Sequence, residues 1–369
     1  MKNFKIVTVV GTRPEIIRLS RVIHYLEKKV NHKLIHTGQN FDYELSEVFF
    51  KDLSIRKPDY QLETKSNTSI NSISKILIQV EKILIKEKPD VFIVLGDTNS
   101  CLSAYCAKRL KIPVFHIEAG NRCYDERVPE EINRKIIDHL SDINITYSRI
   151  AKENLIRENI NPDRVFKIGS PLFEVFNCYK TKILSSQILK KLKLKKDNYY
   201  LLSVHREENI ESQKNLKKLI KLLDYLNHNS KKKILFSTHP RTMRKIDKFS
   251  KKFKNVIFHK PFSYLDYSNL QIHSSCVLSD SGSITEESNI MNFKAINLRS
   301  TNERQEGFEY GAVPMAHFNI EVIDKLLSMK TKKKNLIEDY KCENFSEVFF
   351  NLLISYTNYV NEYNWKKEL

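Results

Sequence analysis

Glycine is scarce in this 369-residue chain, and several familiar sequence patterns are missing altogether. Only eight glycines occur and none forms a Gly-x-Gly-x-x-Gly run, so a nicotinamide site of the usual dinucleotide-binding kind is not indicated. No apolar stretch approaches the roughly 20 residues that a membrane-spanning helix needs. The apolar run at residues 4–10 is followed at once by GTRPE, with no small-residue cleavage site, so it is interpreted as a strand. These absences predict a soluble protein.

Cysteine pairs with metal-binding spacing are also missing. The six cysteines are scattered without any Cys-x-x-Cys spacing, and several lie in apolar or helical contexts. That distribution is typical of buried free thiols in a reducing compartment, so we expect a cytoplasmic protein. None of the polar motifs described below has the spacing of metal ligands, and we expect neither a metal nor a cofactor.

Positively charged residues, by contrast, are in excess. Lys and Arg number 62 against 44 Asp and Glu, which gives a net charge of +18 and raises the question of a nucleic-acid partner. The densest basic stretches, at residues 190–196, 231–233, 251–254 and 330–334, lack interleaved aromatic residues and are typical of solvated helix ends or loops. We therefore expect no nucleic-acid partner; steep salt-dependent retention on DNA would indicate one.

Apolar runs typical of buried strands alternate with helix-period segments in both halves of the chain. The strand-like runs include residues 4–10, 33–36, 91–95, 114–117, 199–204, 234–238, 256–258 and 277–279. The alternation weakens around residues 178–197. This pattern predicts an α/β protein of two Rossmann-like doubly wound domains with a central cleft. We place the domains at residues 1–170 and 171–350, with a final helix at 351–369 that could pack back on the first domain.

Polar motifs follow several of these strands, where an open parallel sheet binds ligands. In GTRPE, a helix N-terminus together with Arg13 could bind a diphosphate, although an ordinary capped helix explains the same residues equally well. Asp97 in GDTNS could act as an acid or base, or Asp97 or Thr98 could simply cap the helix that runs to Leu110. Strand alternation places His116 and Glu118 on one face of an apolar segment, which favours a polar pocket over a satisfied buried pair.

The segment PEEINR and the second half of the chain add further candidates. Glu130 and Glu131 lie in the first turn of a helix, where the helix dipole alone explains such pairs more often than catalysis does. Arg134, four residues before Asp138, could be only a helix-face ion pair.

In the second half, His205 in HRE and the motif THPR at residues 238–241 are basic groups suited to a phosphate, although a lone histidine of this kind is more often structural. Residues 280–287 (DSGSITEE) combine a strand end, a tight turn and a helix start, which would present backbone N–H groups to an anion. The acids one turn later could bind ribose hydroxyls.

Taken together and in order, these motifs resemble the non-hydrolysing UDP-N-acetylglucosamine 2-epimerase family, which shares the two-domain fold of GT-B glycosyltransferases. The resemblance runs from Gly11 to about Gly311 and comprises GTRPE, GDT, HIEAG, PEEINR, HRE, DSGSITEES and ERQEG. Residues 118–135 (EAGNRCYDERVPEEINRK), with TGQNFDY and GDTNSCL, look most like the branch that makes UDP-N-acetyl-L-fucosamine. The resemblance implies epimerisation of UDP-2-acetamido-2,6-dideoxy-L-talose at C2 for a surface polysaccharide, either O-antigen or capsule, by a homodimer.

Carried over position by position, the resemblance also implies roles for individual residues. Asp97, Glu118 and Glu130 would handle protons, and Arg13 and His205 would act at the diphosphate. The further contacts with the UDP-activated N-acetylated amino sugar would come from Arg18, Arg134, Ser281, Gly282, Ser283, Glu287 and Arg304.

Four positions depart from the glucosamine branch of that family. Arg18 stands where the branch has a functional lysine, which keeps the charge but changes its geometry. Glu207 replaces an arginine, Gln305 replaces a proline, and Asn40 replaces a histidine of a regulatory substrate site. Activation by substrate is therefore not expected here.

The chemistry of such a sugar narrows the mechanism. The hydrogen on C2 has no adjacent carbonyl, and no nicotinamide motif would oxidise C3 to supply one. What remains, and what the resemblance implies, is elimination of UDP across C1 and C2 to a glycal, followed by readdition with the proton delivered to the other face. This needs carboxylates near C2 and charge stabilisation on the departing diphosphate.

Two alternatives remain open at this point. The same reaction on UDP-N-acetylglucosamine would give UDP-N-acetylmannosamine. A GT-B glycosyltransferase would be an enzyme of another class, which needs an acceptor and releases UDP.

Overall fold

The computed structural model describes residues 3–39, 43–329 and 336–367. Asn40, part of the TGQNFDY motif and the basic stretch 330–334 lie outside the described residues. Contacts divide the chain into two compact units, which we call the N-terminal unit (Met1–Asn177 with Glu338–Leu369) and the C-terminal unit (Cys178–Ile337).

The N-terminal unit is built on a parallel sheet. Its described strands are β1 Lys5–Val10, β2 Asn31–His36, β3 Tyr60–Gln61, β4 Val91–Leu95, β5 Val114–Ile117, β6 Ile143–Thr146 and β7 Val165–Lys167, in the order β3-β2-β1-β4-β5-β6-β7. Its helices are α1 Arg13–Lys29, α2 Tyr43–Asp52, α3 Ser69–Glu87, α4 Ala104–Arg109, α5 Pro129–Leu140 and α6 Arg149–Arg157; α7 Pro171–Leu184 carries the chain into the next unit. Every residue of β4 and β5 is buried, as expected of central strands covered by helices on both faces.

The C-terminal unit repeats this plan with a second parallel sheet. Its described strands are β8 Tyr199–Ser203, β9 Lys233–Ser237, β10 Val256–His259, β11 Cys276–Ser279 and β12 Ala295–Asn297, in the order β10-β9-β8-β11-β12. Its helices are α8 Ile188–Lys191, α9 Glu207–Ile210, α10 Gln213–Asn229, α11 Pro240–Ser250, α12 Tyr264–His273, α13 Ile284–Ile290, α14 Glu306–Glu309 and α15 Ile320–Ser328.

Both sheets contain a point where the strand order reverses, and this positions the polar motifs. In the N-terminal unit, β1 lies between β2 and β4, so GTRPE and GDTNS follow neighbouring strands at one edge. In the C-terminal unit, β8 lies between β9 and β11, so HRE and DSGS are neighbours in the same way. Such reversal points are where doubly wound sheets bind ligands.

The C-terminal segment packs within the N-terminal unit. The last α-helix, α16 Phe345–Tyr359, stacks its aromatic residues against that unit. The Phe349 ring lies 6.3 Å from that of Phe115 in β5, and the Phe350 ring lies 5.5 Å from that of Tyr25 in α1. The segment from Glu338 therefore belongs to the first unit, whereas the expected second domain included residues 338–350. No local sequence pattern shows which core a terminal helix will cover. The boundary between the two units lies at 177/178, and the expected boundary was at 170/171.

Within the described part of the chain, no helix combines the length and the apolarity needed to cross a membrane.

Two glycines with left-handed backbone allow a matched test of packing in the N-terminal unit. Gly96 has φ +74° with open space where a Cβ would lie, whereas at Gly120, with φ +82°, a Cβ would lie 2.1 Å from the carbonyl oxygen of Ala151. We expect Gly96→Ala to lower the free energy of unfolding by about 1–2 kcal/mol, the cost of a left-handed alanine. Gly120→Ala should cost about 3–5 kcal/mol, because overpacking against backbone is added. Urea denaturation of both variants checks this, and equal losses would contradict it.

Candidate active site

At the end of β1, a glutamate ties two loops together. Thr12 precedes helix α1, and Glu15, the third residue of the helix, accepts the backbone N–H of Gly11 (2.5 Å) and of Thr12 (2.9 Å). Its other oxygen accepts the hydroxyl of Thr98 (2.5 Å), which follows β4. Glu15 is 2% exposed, and this burial raises its pKa to about 7 although those hydrogen bonds oppose the rise. The signal for this residue was the capping pattern T-x-x-E.

The raised pKa of Glu15 predicts a pH dependence of stability. A carboxyl whose pKa rises from 4.5 to about 7 on folding binds more protons in the folded state between those values. The contribution of Glu15 to the free energy of unfolding is therefore fully present below pH 4.5 and is lost as the pH rises through 7. The loss is on the order of 3 kcal/mol. Glu15→Gln should remove this component, because an amide can still cap the helix without ionising. Urea denaturation of the wild type and of Glu15→Gln at pH 5, 6, 7 and 8 measures this pH dependence. If the free energy of unfolding changes with pH in the same way in both proteins, the prediction is wrong.

Asp97 faces an arginine. Its Oδ2 atom accepts Nε (3.0 Å) and Nη2 (2.6 Å) of Arg134, whose side chain is 3% exposed while that of Asp97 is 24% exposed. Asp97 is not the helix cap, because Thr98 accepts the backbone N–H of Ser100 (3.2 Å) in that role. Arg134 therefore pairs with Asp97. It does not pair with Asp138, the partner that the helix spacing had suggested. Asp97 remains a partly exposed carboxylate at a strand tip.

The two acids that open α5 differ in their surroundings. Glu131 is fully buried and accepts the backbone N–H groups of Cys123 (3.1 Å) and Tyr124 (3.0 Å) as well as Nη1 of Arg134 (3.1 Å). Glu130 is half-buried beside it. Glu131 thus fixes the loop that leads into α5, a role that the sequence did not distinguish from dipole compensation.

His116 is a fully buried residue and not part of an open polar pocket. Its ring is 0% exposed, with Nε2 2.8 Å from the carbonyl oxygen of Gly96 and Nδ1 3.0 Å from Oδ1 of Asp138. The alternation expected to align it with Glu118 fails, because β5 ends at Ile117 and Glu118 has φ +72°.

Asp138 is the centre of a buried network behind this histidine. Burial would raise its pKa, but hydrogen bonds from His116 and from Arg122 (2.6 Å) outweigh burial and hold the pKa below its usual value. Arg122 in turn binds both carboxylate oxygens of Glu158, at 2.7 and 2.5 Å. Because the carboxylates of this network accept several hydrogen bonds, the network fixes the loop after β5.

Glu118 lies next to Arg18 of helix α1. The Arg18 Nε and Glu118 Oε2 atoms are 3.4 Å apart, and both side chains are largely buried, at 6% and 13% exposure. Left-handed backbone at a non-glycine residue costs of order 1–3 kcal/mol and clusters at functional sites. Arg13, one turn earlier in α1, is half-buried with its guanidinium 5.9 Å from the ring of Phe49. The unit thus brings Asp97 to Arg134 and Glu118 to Arg18.

In the C-terminal unit, the buried Asp280 joins the ends of β8 and β11. It accepts the backbone N–H groups of His205 (3.1 Å) and Arg206 (2.9 Å) and the side-chain amide of Asn209 (3.0 Å). Nδ1 of His205 lies 3.3 Å from Asp280, while 41% of the His205 side chain is exposed. Asp280 therefore orients the partly exposed side chain of His205, a role that the sequence did not single out.

The turn after β11 is built from hydroxyl groups and a glutamate. Ser281 and Ser283 share a hydrogen bond of 2.9 Å, and Ser283 donates to Glu287 (2.6 Å). Gln271 donates to the other Glu287 oxygen (2.6 Å). At Gly282 a Cβ would lie 2.2 Å from Oε1 of Glu303, so the turn admits no larger residue without displacing that side chain.

Arg304 supports this turn from behind. Its guanidinium is 1% exposed, lies 3.2 Å from the buried Glu286 and donates to the carbonyl oxygen of Gly282 (3.2 Å). It therefore positions the turn through Gly282. In the THPR motif, His239 caps helix α11 by accepting the backbone N–H of Arg241 (3.2 Å), which is the structural role of such a histidine.

The structure also bears on metals. Among residues 3–39, 43–329 and 336–367, no group of three or more His, Cys, Asp or Glu side chains is arranged to hold a metal ion.

Comparison with known proteins identifies a family. The family model for UDP-N-acetylglucosamine 2-epimerase matches residues 24–347. A UDP-N-acetylglucosamine 2-epimerase structure from Rickettsia bellii is 43% identical with a TM-score of 0.91, over 99% of this chain and 100% of that one. The Methanocaldococcus jannaschii UDP-GlcNAc 2-epimerase, in complex with UDP-GlcNAc and UDP, is 34% identical with a TM-score of 0.89, over 95% of this chain and 100% of that one.

Two further comparisons concern substrate and fold. The UDP-2,3-diacetamido-2,3-dideoxy-D-glucuronate 2-epimerase of Pseudomonas aeruginosa is 33% identical over 84% of this chain and 87% of its own length. A lipopolysaccharide outer core galactosyltransferase, 16% identical with a TM-score of 0.53 over 95% of this chain and 99% of its own, shares the fold alone. Together with the two parallel sheets, these likenesses confirm the predicted GT-B-like fold class.

Proposed function

Because the chain belongs to the UDP-N-acetylglucosamine 2-epimerase family and is a UDP-sugar isomerase, we propose that it inverts C2 of UDP-2-acetamido-2,6-dideoxy-L-talose. The product would be UDP-N-acetyl-L-fucosamine, for an O-antigen or capsular polysaccharide. The observation that carries this choice is Arg18, which replaces the lysine of the glucosamine branch and lies 3.4 Å from Glu118. A planar guanidinium offers a different donor pattern to a sugar from that of an ammonium group.

The same reaction on UDP-N-acetylglucosamine is the second candidate. It is favoured by the relatives from R. bellii and M. jannaschii, whose names specify that sugar. The P. aeruginosa relative shows by its name that members of comparable identity act on other UDP-sugars.

Supplying both sugars to the purified protein decides between them. NMR of the products and separate kcat/KM values are the readout, and we expect the talose derivative to be preferred by at least about 100-fold, or about 2.7 kcal/mol. A higher kcat/KM for UDP-N-acetylglucosamine would transfer the assignment to that sugar.

We assign the UDP moiety to the turn after β11 and the neighbouring HRE loop. Ser281, Gly282, Ser283 and Glu287 would contact phosphate and ribose, supported from behind by Arg304. His205 supports this assignment because its ring is anchored by Asp280 and is 41% exposed. A positioned donor of this kind suits a departing diphosphate.

Proton transfer is assigned to carboxylates of the N-terminal unit. Asp97, Glu118 and Glu130 would take the proton from C2 as the C1–O bond to UDP breaks, and would return a proton to the opposite face as UDP re-forms that bond. Asp97 and Glu118 each lie beside a buried arginine, Arg134 and Arg18, which fixes the position of the carboxylate. Arg13 would bind the diphosphate.

Assembly and location complete the proposal. A homodimer is supported by three isoleucines that lie exposed along helix α3, namely Ile70, Ile78 and Ile85, at 70%, 54% and 55% exposure. A cytoplasmic location is supported by six cysteines that are all free thiols. Light scattering of the purified protein measures its mass, and a monomer would rule out the dimer.

A further inference from the structure

The loop that carries Asp97 is held at several atoms. Arg134 holds the Asp97 carboxylate, and Asn133 donates to its backbone carbonyl (2.9 Å). Thr98 is held by Glu15 (2.5 Å). A further contact is made one residue earlier, where His116 meets the carbonyl oxygen of Gly96 at 2.8 Å. Because Gly96 has φ +74°, this carbonyl lies at the turn from which the Asp97 side chain departs.

The ring of His116 is fixed from both sides. A carbonyl oxygen only accepts, so Nε2 must carry the hydrogen that binds Gly96. Nδ1 faces the Asp138 carboxylate at 3.0 Å, and that carboxylate is itself held by Arg122 and by the backbone N–H of Gly120 (3.2 Å). The contact with Asp138 restrains the orientation of the ring.

We propose that His116 is a positioning residue for the epimerisation, which directs Asp97 through the Gly96 carbonyl. This rests on the proposed role of Asp97 as a proton-transfer group. His116 is 0% exposed, so it touches no substrate and acts only through the loop. A misplacement of about 1 Å in a reacting group can cost on the order of 100-fold in rate, so one hydrogen bond at the base of the loop is enough to matter.

Two amide replacements separate this role from a purely structural one. In His116→Gln the amide nitrogen lies near the Nε2 position, so it keeps the donor to Gly96 and loses the contact with Asp138. In His116→Asn the amide nitrogen lies near Nδ1, so it keeps Asp138 and loses Gly96. If the histidine only stabilised the fold, loss of the partner of the buried Asp138 carboxylate would be the more harmful change.

Kinetics of both variants test the proposal. We expect His116→Asn to lower kcat about 10–100-fold with KM and UDP affinity unchanged within twofold, and His116→Gln to keep kcat within about fivefold of wild type despite a lower thermal unfolding midpoint. Activity that follows the unfolding midpoint, with His116→Gln the worse of the two, would overturn the proposal. Wild-type turnover in the same assay tests the proposed function separately, since an inactive wild type refutes that function without involving His116.

A second test uses only the wild-type protein, so its outcome does not depend on whether a variant folds. With ¹⁵N-labelled histidine, NMR at neutral pH should show a proton on Nε2 of His116. An Nε2 without hydrogen could not bind the Gly96 carbonyl and would overturn the proposal.

Discussion

Asp97→Asn is expected to reduce kcat for C2 epimerisation by about 10²–10⁴-fold, the range of a lost acid–base group. The asparagine amide has nearly the same shape as the carboxylate but cannot accept a proton from C2. The fold should persist, because Arg134 keeps Glu131 (3.1 Å) as a partner when Asp97 loses its charge. Affinity for UDP should stay unchanged, since Asp97 is not among the residues assigned to UDP.

The Asp97 experiment combines steady-state kinetics with calorimetric titration of UDP. Asp163→Asn is the matched control, because Asp163 is an exposed aspartate of the same unit at the start of a short helical turn. The control should keep wild-type kcat. Near-normal kcat in Asp97→Asn would remove this residue from proton transfer, whereas a parallel loss of UDP affinity would indicate a binding role.

Glu118→Gln is the second large effect, with an expected loss of kcat of about 10²-fold or more. Glu118 is held in left-handed backbone with φ +72° beside Arg18, so its carboxylate is fixed in direction and paired with a buried cation. The amide removes both the proton acceptor and the ion pair. Loss of that partner leaves the Arg18 charge less compensated, so a lower free energy of unfolding is also expected.

Stability and activity must therefore be measured together for Glu118→Gln. Glu126→Gln is the control, because Glu126 lies in the same loop segment with a side chain that is 76% exposed. The control should change neither quantity. Should Glu118→Gln fold and turn over at the wild-type rate, the assignment of Glu118 to the chemistry would be wrong.

The strands and the motifs that follow them could be predicted from the sequence. Buried parallel strands are continuous apolar runs, so β1, β4, β5, β8 and β11 are recognisable from the sequence. Their boundaries differ by about one or two residues, as for β11, which begins at Cys276 and not at residue 277. The loops at the strand ends follow directly from the parallel topology.

The partners of the charged side chains could not be predicted. Helix spacing offered Asp138 to Arg134, yet Arg134 binds Asp97 and Glu131. Asp138 binds His116 and Arg122 instead. Which partner is chosen depends on how helix α5 is rotated against the sheet, and a period of 3.6 residues does not specify that rotation.

Two carboxylates that organise the site also escaped the sequence reading. Glu15 accepts the hydroxyl of Thr98, which lies 83 positions away, and Asp280 accepts the backbone N–H of His205, which lies 75 positions away. The capping pattern indicates the local contacts of Glu15, but a single sequence does not show such distant partners. Similarly, the prediction for His116 depended on the exact end of β5, because one residue of left-handed backbone at Glu118 cancels the alternation.

The central claim is that UDP is eliminated and re-added, with a carboxylate exchanging the C2 proton. Running the reaction in deuterated water and recording NMR and mass spectra of the UDP-sugar product tests it most directly. We predict one deuterium at C2 of the product, because the carboxylate that reprotonates the glycal exchanges with solvent. Product that retains hydrogen at C2 under these conditions would contradict the mechanism.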